Sequence, residues 1–200
     1  MFNITENELI KFTITAFKVA KKSLPAYSSK YSKQIYTQHQ HLTLLCLKER
    51  LRLNYRDLIQ LVELMPKIKG MIGLKRILHF TTIQKFFQKF NSSLFEYVLD
   101  KTVELFDIDE PWVAVDGTGH SADQASLYYA KLQKQTKKKR KHYTKNQIAV
   151  DTQKRVILAQ RVARGPRHDF KDAIPTIRKT KKYKPSGFSL DKSFDREKNT

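Results

Sequence analysis

Residues 112–117 read Trp-Val-Ala-Val-Asp-Gly, a short run of strand-forming residues that ends in a carboxylate and a glycine. Branched and aromatic side chains favour strands, and glycine marks where such a run ends. A second run, Gly187-Phe188-Ser189-Leu190-Asp191, has the same character and also ends in an aspartate. The two runs predict strands that carry Asp116 and Asp191 at their ends.

The residues between these two runs predict the rest of a sheet. Gln147–Val150 and Val156–Val162 are strand-like, and the polar stretch Asp151–Lys154 between them is typical of a hairpin turn. Asp169–Lys179 has a helical apolar pattern, although Pro175 interrupts it and a proline inside a helix removes a hydrogen bond. This order indicates a mixed α/β sheet.

The residues before the sheet predict short helices. Asn54 is a candidate N-cap for a helix at Tyr55–Met65, which Pro66 and Gly70 would end. Two capping-box spacings, in which a hydroxyl residue is followed three residues later by Gln or Glu, occur at Thr81 with Gln84 and at Ser93 with Glu96. The predicted helices are Phe12–Ala20, His39–Leu51, Tyr55–Met65, Thr82–Phe90 and Leu94–Phe106.

The fold class predicted is therefore α+β, with a helical region at residues 1–107 and a mixed α/β domain at residues 108–200. Short basic helices joined by tight turns suit a helix-turn-helix DNA-binding region, with Asn54–Leu64 and Thr81–Lys89 as its DNA-facing segments. An ordinary helical bundle gives the same periodicity, so the pattern leaves both interpretations open.

Positive charge is concentrated in one part of the chain. The formal net charge is +20, and residues 131–184 hold 19 Lys and Arg against 3 acidic residues, a net +16. Such a field attracts polyanions, and backbone contact with nucleic acid is favoured over a solvated basic surface or a localisation tract. The candidate DNA contacts are Lys137, Lys138, Lys139, Arg140 and Lys141 in a basic insertion at 128–145, together with Arg164 and Arg167.

The remaining composition bounds the class of protein. No stretch approaches the roughly 18 apolar residues of a membrane span, and the N-terminus lacks a signal-peptide layout. Cys46 is the single cysteine, so no disulfide framework exists within the chain. We expect a cytoplasmic, nucleoid-associated protein that makes no membrane contact.

Two aspartates at strand ends suit metal-dependent phosphodiester chemistry. A carboxylate that closes an apolar run is costly to bury alone, and Mg²⁺ coordination offsets that cost. Two cations roughly 4 Å apart would activate the attacking oxygen and stabilise the leaving one. Simpler interpretations exist, because Asp116-Gly117 is also a hairpin-turn dipeptide and Asp191 could begin a loop.

Three segments in order resemble DDE transposases of the IS4/IS5 type. Residues 112–119 resemble the first active-site strand of that family, and residues 165–169 (Gly-Pro-Arg-His-Asp) resemble the segment that leads into its next helix. Residues 190–195 (Leu-Asp-Lys-Ser-Phe-Asp) resemble the second-aspartate motif, although Ser193 stands where the family usually has glycine. The resemblance covers about residues 30–195.

This resemblance implies an RNase H-like catalytic domain that cleaves and transfers DNA strands with Mg²⁺ or Mn²⁺. Asp116 and Asp191 would be the first two metal ligands, supported by His168 and Asp169. Element ends and target DNA would be the partners, together with a homo-oligomer on DNA. The family's third acid should lie on a downstream helix, and Glu197 is too close to Asp191 to fill that role. We therefore expect a truncated, incomplete RNase H-like domain, and the alternative function is a non-catalytic DNA-binding transposase remnant.

Overall fold

The structure is a computed structural model that describes residues 6–121, 143–164 and 169–191, and the chain divides into two compact units, Met1–Thr102 and Val103–Thr200. The described residues form seven α-helices and one four-stranded sheet, which confirms the α+β class. Among the helices of these ranges, none combines the length and the apolar character needed to cross a membrane.

The helices of the first part of the chain are short and closely spaced. They are α1 (Glu6–Ser23), α2 (Gln38–Leu51), α3 (Tyr55–Glu63), α4 (Pro66–Met71), α5 (Phe80–Gln88) and α6 (Ser92–Val103). Their core is built from side chains that are almost completely buried, chiefly Leu44, Leu47, Leu58, Ile72, Leu78 and Ile83. Burial of each such side chain contributes about 1.5–3 kcal/mol, so these residues hold the unit together.

The start of α3 was predicted correctly, but the helix that follows it was not predicted. Asn54 caps the helix, since its Oδ1 accepts hydrogen bonds from the backbone N–H groups of Arg56 and Asp57, each at 2.9 Å. Pro66, however, begins α4 instead of only ending α3, and Gly70 lies inside α4. Proline suits the first turn of a helix because the N–H that it lacks has no partner there.

Both predicted capping boxes are wrong. Helix α5 already begins at Phe80, and the Thr81 hydroxyl bonds the ring Nδ1 of His79 at 2.8 Å. At the start of α6, the N–H of Leu94 donates to Asn91 Oδ1 at 2.9 Å. A capping box that was not predicted begins α2: the Thr37 hydroxyl accepts from the N–H of Gln40, and the Gln40 side chain accepts from the N–H of Thr37.

The second unit is built on a sheet in the order β3-β2-β1-β4. Its strands are β1 (Trp112–Ser121), β2 (Tyr143–Asp151), β3 (Ile157–Arg164) and β4 (Gly187–Leu190). β1, β2 and β3 pair antiparallel, whereas β4 pairs parallel with β1. The predicted turn at Asp151–Lys154 is present between β2 and β3, closed by the Asp151 N–H bond to Val156 O. Because β2 begins at Tyr143, the last residues of the predicted insertion at 128–145 belong to a strand; residues 122–142 lie outside the described ranges.

Helix α7 (Asp169–Thr180) connects β3 to β4 and packs against β1, β2 and β3. The helix continues through Pro175, although proline has no N–H to donate to the preceding turn. Ala173, Thr176 and Thr180 are buried, and their packing outweighs the loss of that hydrogen bond. Arg161 Nε on β3 donates to buried Asp172 Oδ1 at 3.0 Å, which marks the face of the sheet that α7 covers.

The covered face can be followed across the strands by register. Arg161 pairs with Gln147, which pairs with Gly117, so the odd-numbered residues of β1 lie on the side of α7. Val113 and Val115 are buried accordingly. Even-numbered residues of β1, including Asp116, therefore lie on the opposite face, since successive side chains of a strand alternate.

Candidate active site

Asp116 and Asp191 are positioned by the parallel pairing of β1 with β4. The paired residues run from Trp112 with Gly187 to Val115 with Leu190. The next residue along β1 is Asp116 and the next along the chain after β4 is Asp191. Neighbouring strands lie about 4.8 Å apart, and paired residues of parallel strands project from the same face. If the register continues by one residue, the two carboxylates are neighbours.

The Trp112 side chain contacts β4 at the first residue pair of this register. Its indole Nε1 donates to the Ser189 hydroxyl at 2.7 Å, and the ring lies against Gly187, where a Cβ would approach ring atoms Cε3 and Cη2 to 2.6 and 2.7 Å. Glycine is thus required so that the ring can rest on the β4 backbone. No local pattern in the sequence indicates this contact.

Replacement of Gly187 by alanine should displace the Trp112 ring and break its bond to Ser189. We expect a loss of about 1–3 kcal/mol in the free energy of unfolding of the second unit, as for an overpacked site. Trp112 is the single tryptophan of the sequence, so its fluorescence emission reports the displacement directly.

Gly70→Ala is the matched control for that experiment, because a Cβ at Gly70 meets nothing within 4 Å. Its emission spectrum should match that of the unchanged chain, and its urea midpoint should not fall, because alanine favours a helix such as α4 more than glycine does. Identical emission and stability for Gly187→Ala would contradict the assigned role of the Trp112 contact.

The surroundings of Asp116 are open to solvent. Its carboxylate is exposed, and Oδ1 accepts a hydrogen bond from the N–H of Gly117 at 2.7 Å. Across the sheet, Asp116 pairs with Ile148, which pairs with Gln160. Asp191 is also exposed. Both acids are therefore accessible to a cation and to an anionic substrate.

The other predicted site residues do not gather around this pair in the described residues. Arg164 is exposed at the end of β3, in the row of Thr144 and His120. That row lies four residues, about 13 Å, from the row of Asp116. His120 is an exposed residue of β1.

The side chains of the remaining predicted residues are not among those that the structure describes. Asp169 begins α7, but its side chain is not among those described. His168, Arg167 and the basic residues Lys137, Lys138, Lys139, Arg140 and Lys141 fall outside the described ranges.

The chemistry of the donors fits a hard divalent cation. Within residues 6–121, 143–164 and 169–191, no group of three or more His, Cys, Asp or Glu side chains could hold a metal ion. Mg²⁺ is commonly held by one or two carboxylates, with water and substrate phosphates as its other ligands. Asp116 and Asp191 match that donor set.

The second part of the chain is similar to a known protein family. Residues 108–199 match a protein-family model described as the transposase DDE domain. This segment contains β1 to β4, α7 and both aspartates. No curated protein and no solved structure matches the chain.

Proposed function

We propose that this chain is a DNA transposase of the DDE insertion-sequence type, with the IS4/IS5 group as its relatives and an RNase H-like catalytic domain. The match of residues 108–199 to the transposase DDE domain supports the family. Three antiparallel strands followed by a helix and a fourth strand parallel to the first support the fold. The DNA to be bound is that of the element ends and of the target.

Asp116 and Asp191 are the residues proposed to hold Mg²⁺ or Mn²⁺. The observation that carries the assignment is the β1–β4 register, which leads to these two acids as its next pair. A bound divalent cation would supply Lewis-acid stabilisation of charge on a scissile phosphodiester. The two carboxylates would contribute anionic oxygens at an exposed position that a DNA backbone can reach.

DNA binding is assigned to the basic residues of the second unit and to the helical region. Lys137–Lys141, Arg164 and Arg167 would neutralise phosphates, which positions DNA without reading its sequence. His168 and Asp169 would support the metal ligands from the segment that leads into α7. The domain boundary is proposed near residues 107–108, so that the helical DNA-binding region precedes the catalytic domain along the chain. A homo-oligomer is proposed to form on DNA.

A non-catalytic DNA-binding remnant is the second candidate. Among the described residues, no third acid joins Asp116 and Asp191 in a group that could hold a metal. Two aspartates can hold one cation weakly, whereas a two-metal site needs further anionic oxygens because Mg²⁺ gives up its water reluctantly. We therefore propose that the chain has the fold of the transposase family and binds DNA, but that Asp116 and Asp191 alone do not support cutting.

Incubation of the chain with supercoiled plasmid and Mn²⁺ separates the two candidates. We expect retarded but un-nicked plasmid on an agarose gel. Nicking that disappears in Asp116→Ala but persists in Asp107→Ala, an exposed acid outside the site, would show that another carboxylate completes an active centre. A plasmid that is neither retarded nor nicked would contradict both candidates.

A further inference from the structure

The helical unit contains a cavity that the transposase assignment does not use. Its volume is about 460 Å³, within the range of small-ligand pockets. One wall is the segment between α1 and α2, and the other is the exposed side of α5 and the residues after it. No acidic side chain lines it.

Aromatic rings form a continuous wall of this cavity. The His41 ring lies 6.2 Å from that of Tyr36 and 5.0 Å from that of Phe86, centre to centre. Phe86 in turn contacts Phe90 at 5.2 Å. Flat aromatic surfaces of this kind bind planar rings by stacking, and a nucleobase is such a ring.

Two residues that line the cavity each carry a buried polar atom with no hydrogen-bond partner among the described residues. These atoms are His41 Nε2 and Ser32 Oγ. Burial lowers the pKa of His41 to about 4, so its ring is neutral at pH 7 and offers one donor and one acceptor. A buried polar atom without a partner costs free energy, which a ligand with complementary donors and acceptors would recover.

Three exposed lysines line the cavity. Lys33 lies on one wall, and Lys85 and Lys89 lie four residues apart on the other. All three are exposed, and none has an ion-pair partner in the part of the chain that the structure describes. The cavity therefore combines an aromatic, hydrogen-bonding interior with a cationic opening.

We propose that this cavity binds one unstacked nucleotide of a DNA strand. The base would stack on the wall of Tyr36, His41 and Phe86 and bond the buried polar atoms, while Lys33, Lys85 and Lys89 contact the flanking phosphates. The inference rests on the proposed function for the identity of the partner as DNA. A strand is favoured over a free nucleotide because the three lysines stand on both sides of the opening, where a phosphate backbone can pass.

The test compares two fluorescent DNA ligands for the full chain by anisotropy at one salt concentration. One is a short perfect duplex, and the other is the same duplex with one extra, unpaired thymidine. We expect the bulged DNA to bind about tenfold more tightly, since one base stacked on protein aromatics contributes that order of affinity.

Two variants report on the cavity itself. Lys85→Gln with Lys89→Gln should reduce the preference for bulged DNA to threefold or less. The control pair Lys11→Gln with Lys22→Gln removes equal charge from exposed positions of α1, away from the cavity, and should keep the preference. His41→Phe keeps a ring and removes both nitrogens, so it should lower the preference several-fold; thermal melts of each variant verify folding.

The outcomes distinguish this inference from the function on which it rests. Equal affinity for the two DNAs would overturn the nucleotide site and leave DNA binding standing. Displacement of bulged DNA by thymidine monophosphate at equal concentration would also overturn it, in favour of a free-nucleotide site. Absence of binding to either DNA would contradict the proposed function as well.

Discussion

Raising the salt concentration from about 50 to about 200 mM is expected to weaken DNA binding by this chain at least about a thousandfold, as for proteins that make 6–10 phosphate contacts. The charge that carries this effect lies in residues 131–184, with 19 Lys and Arg against 3 acidic residues. The Lys and Arg residues of this segment whose side chains are described and exposed are Lys154, Arg155, Arg164, Lys171, Arg178, Lys181, Lys182 and Lys184. Each phosphate contact releases counterions from DNA, so affinity falls steeply with salt.

The measurement is a titration of labelled duplexes at several salt concentrations, with two unrelated sequences. Both sequences should give similar affinities and a slope of the logarithmic plot near −0.9 per phosphate contact. Lys137→Gln, Lys138→Gln and Lys139→Gln together should reduce the slope by about 3, whereas Lys11→Gln, Lys21→Gln and Lys22→Gln on α1 should change it less. Equal affinity at low and high salt would refute the electrostatic mechanism.

The strands were predictable because their local signals agree with their environment. Val113 and Val115 are buried on the side of α7, and Ala114 between them faces the other side, so the pattern of the sequence and the packing coincide. The ends of the strands were predicted less well from the sequence. β1 extends to Ser121 through two glycines, which favour turns, because pairing with β2 continues to that point.

Helix starts were less predictable where several residues could cap. At Thr81 and Ser93 the spacing of a capping box is present, yet both lie inside helices. At Thr37 the same spacing with Gln40 does begin a helix. Local pattern alone cannot decide, because the entry path of the preceding chain determines which residue adopts the extended cap conformation.

The two aspartates of the candidate site were predictable from the sequence, but the contacts that position their strands were not. Asp116 and Asp191 were predicted from the ends of two strand-like runs and from the resemblance, although β1 in fact continues past Asp116 to Ser121. The contact of Trp112 with Gly187 and Ser189 joins residues 75 and 77 positions apart, and no local pattern indicates it. Gly187 carried the only signal, a glycine at the start of a strand where one is usually unfavourable.

Loss of either aspartate is expected to weaken Mn²⁺ binding about tenfold or more. Both carboxylates are proposed as ligands of one cation, and each supplies a negative charge that water cannot replace. Even partners outside the ligand set commonly cost 10–100-fold in metal affinity, so removal of a ligand should cost at least as much. Asp107→Asn removes an exposed acid of the same unit and is the control.

Titration of Mn²⁺ followed by the electron paramagnetic resonance signal of the free ion tests the shared site most directly. We expect one Mn²⁺ per chain, affinity lowered about tenfold or more in Asp116→Asn and in Asp191→Asn, and little further loss in the double variant, because the two acids act as one site. Asp107→Asn should bind as the unchanged chain does. Unchanged Mn²⁺ affinity in either single variant would contradict a metal site shared by Asp116 and Asp191.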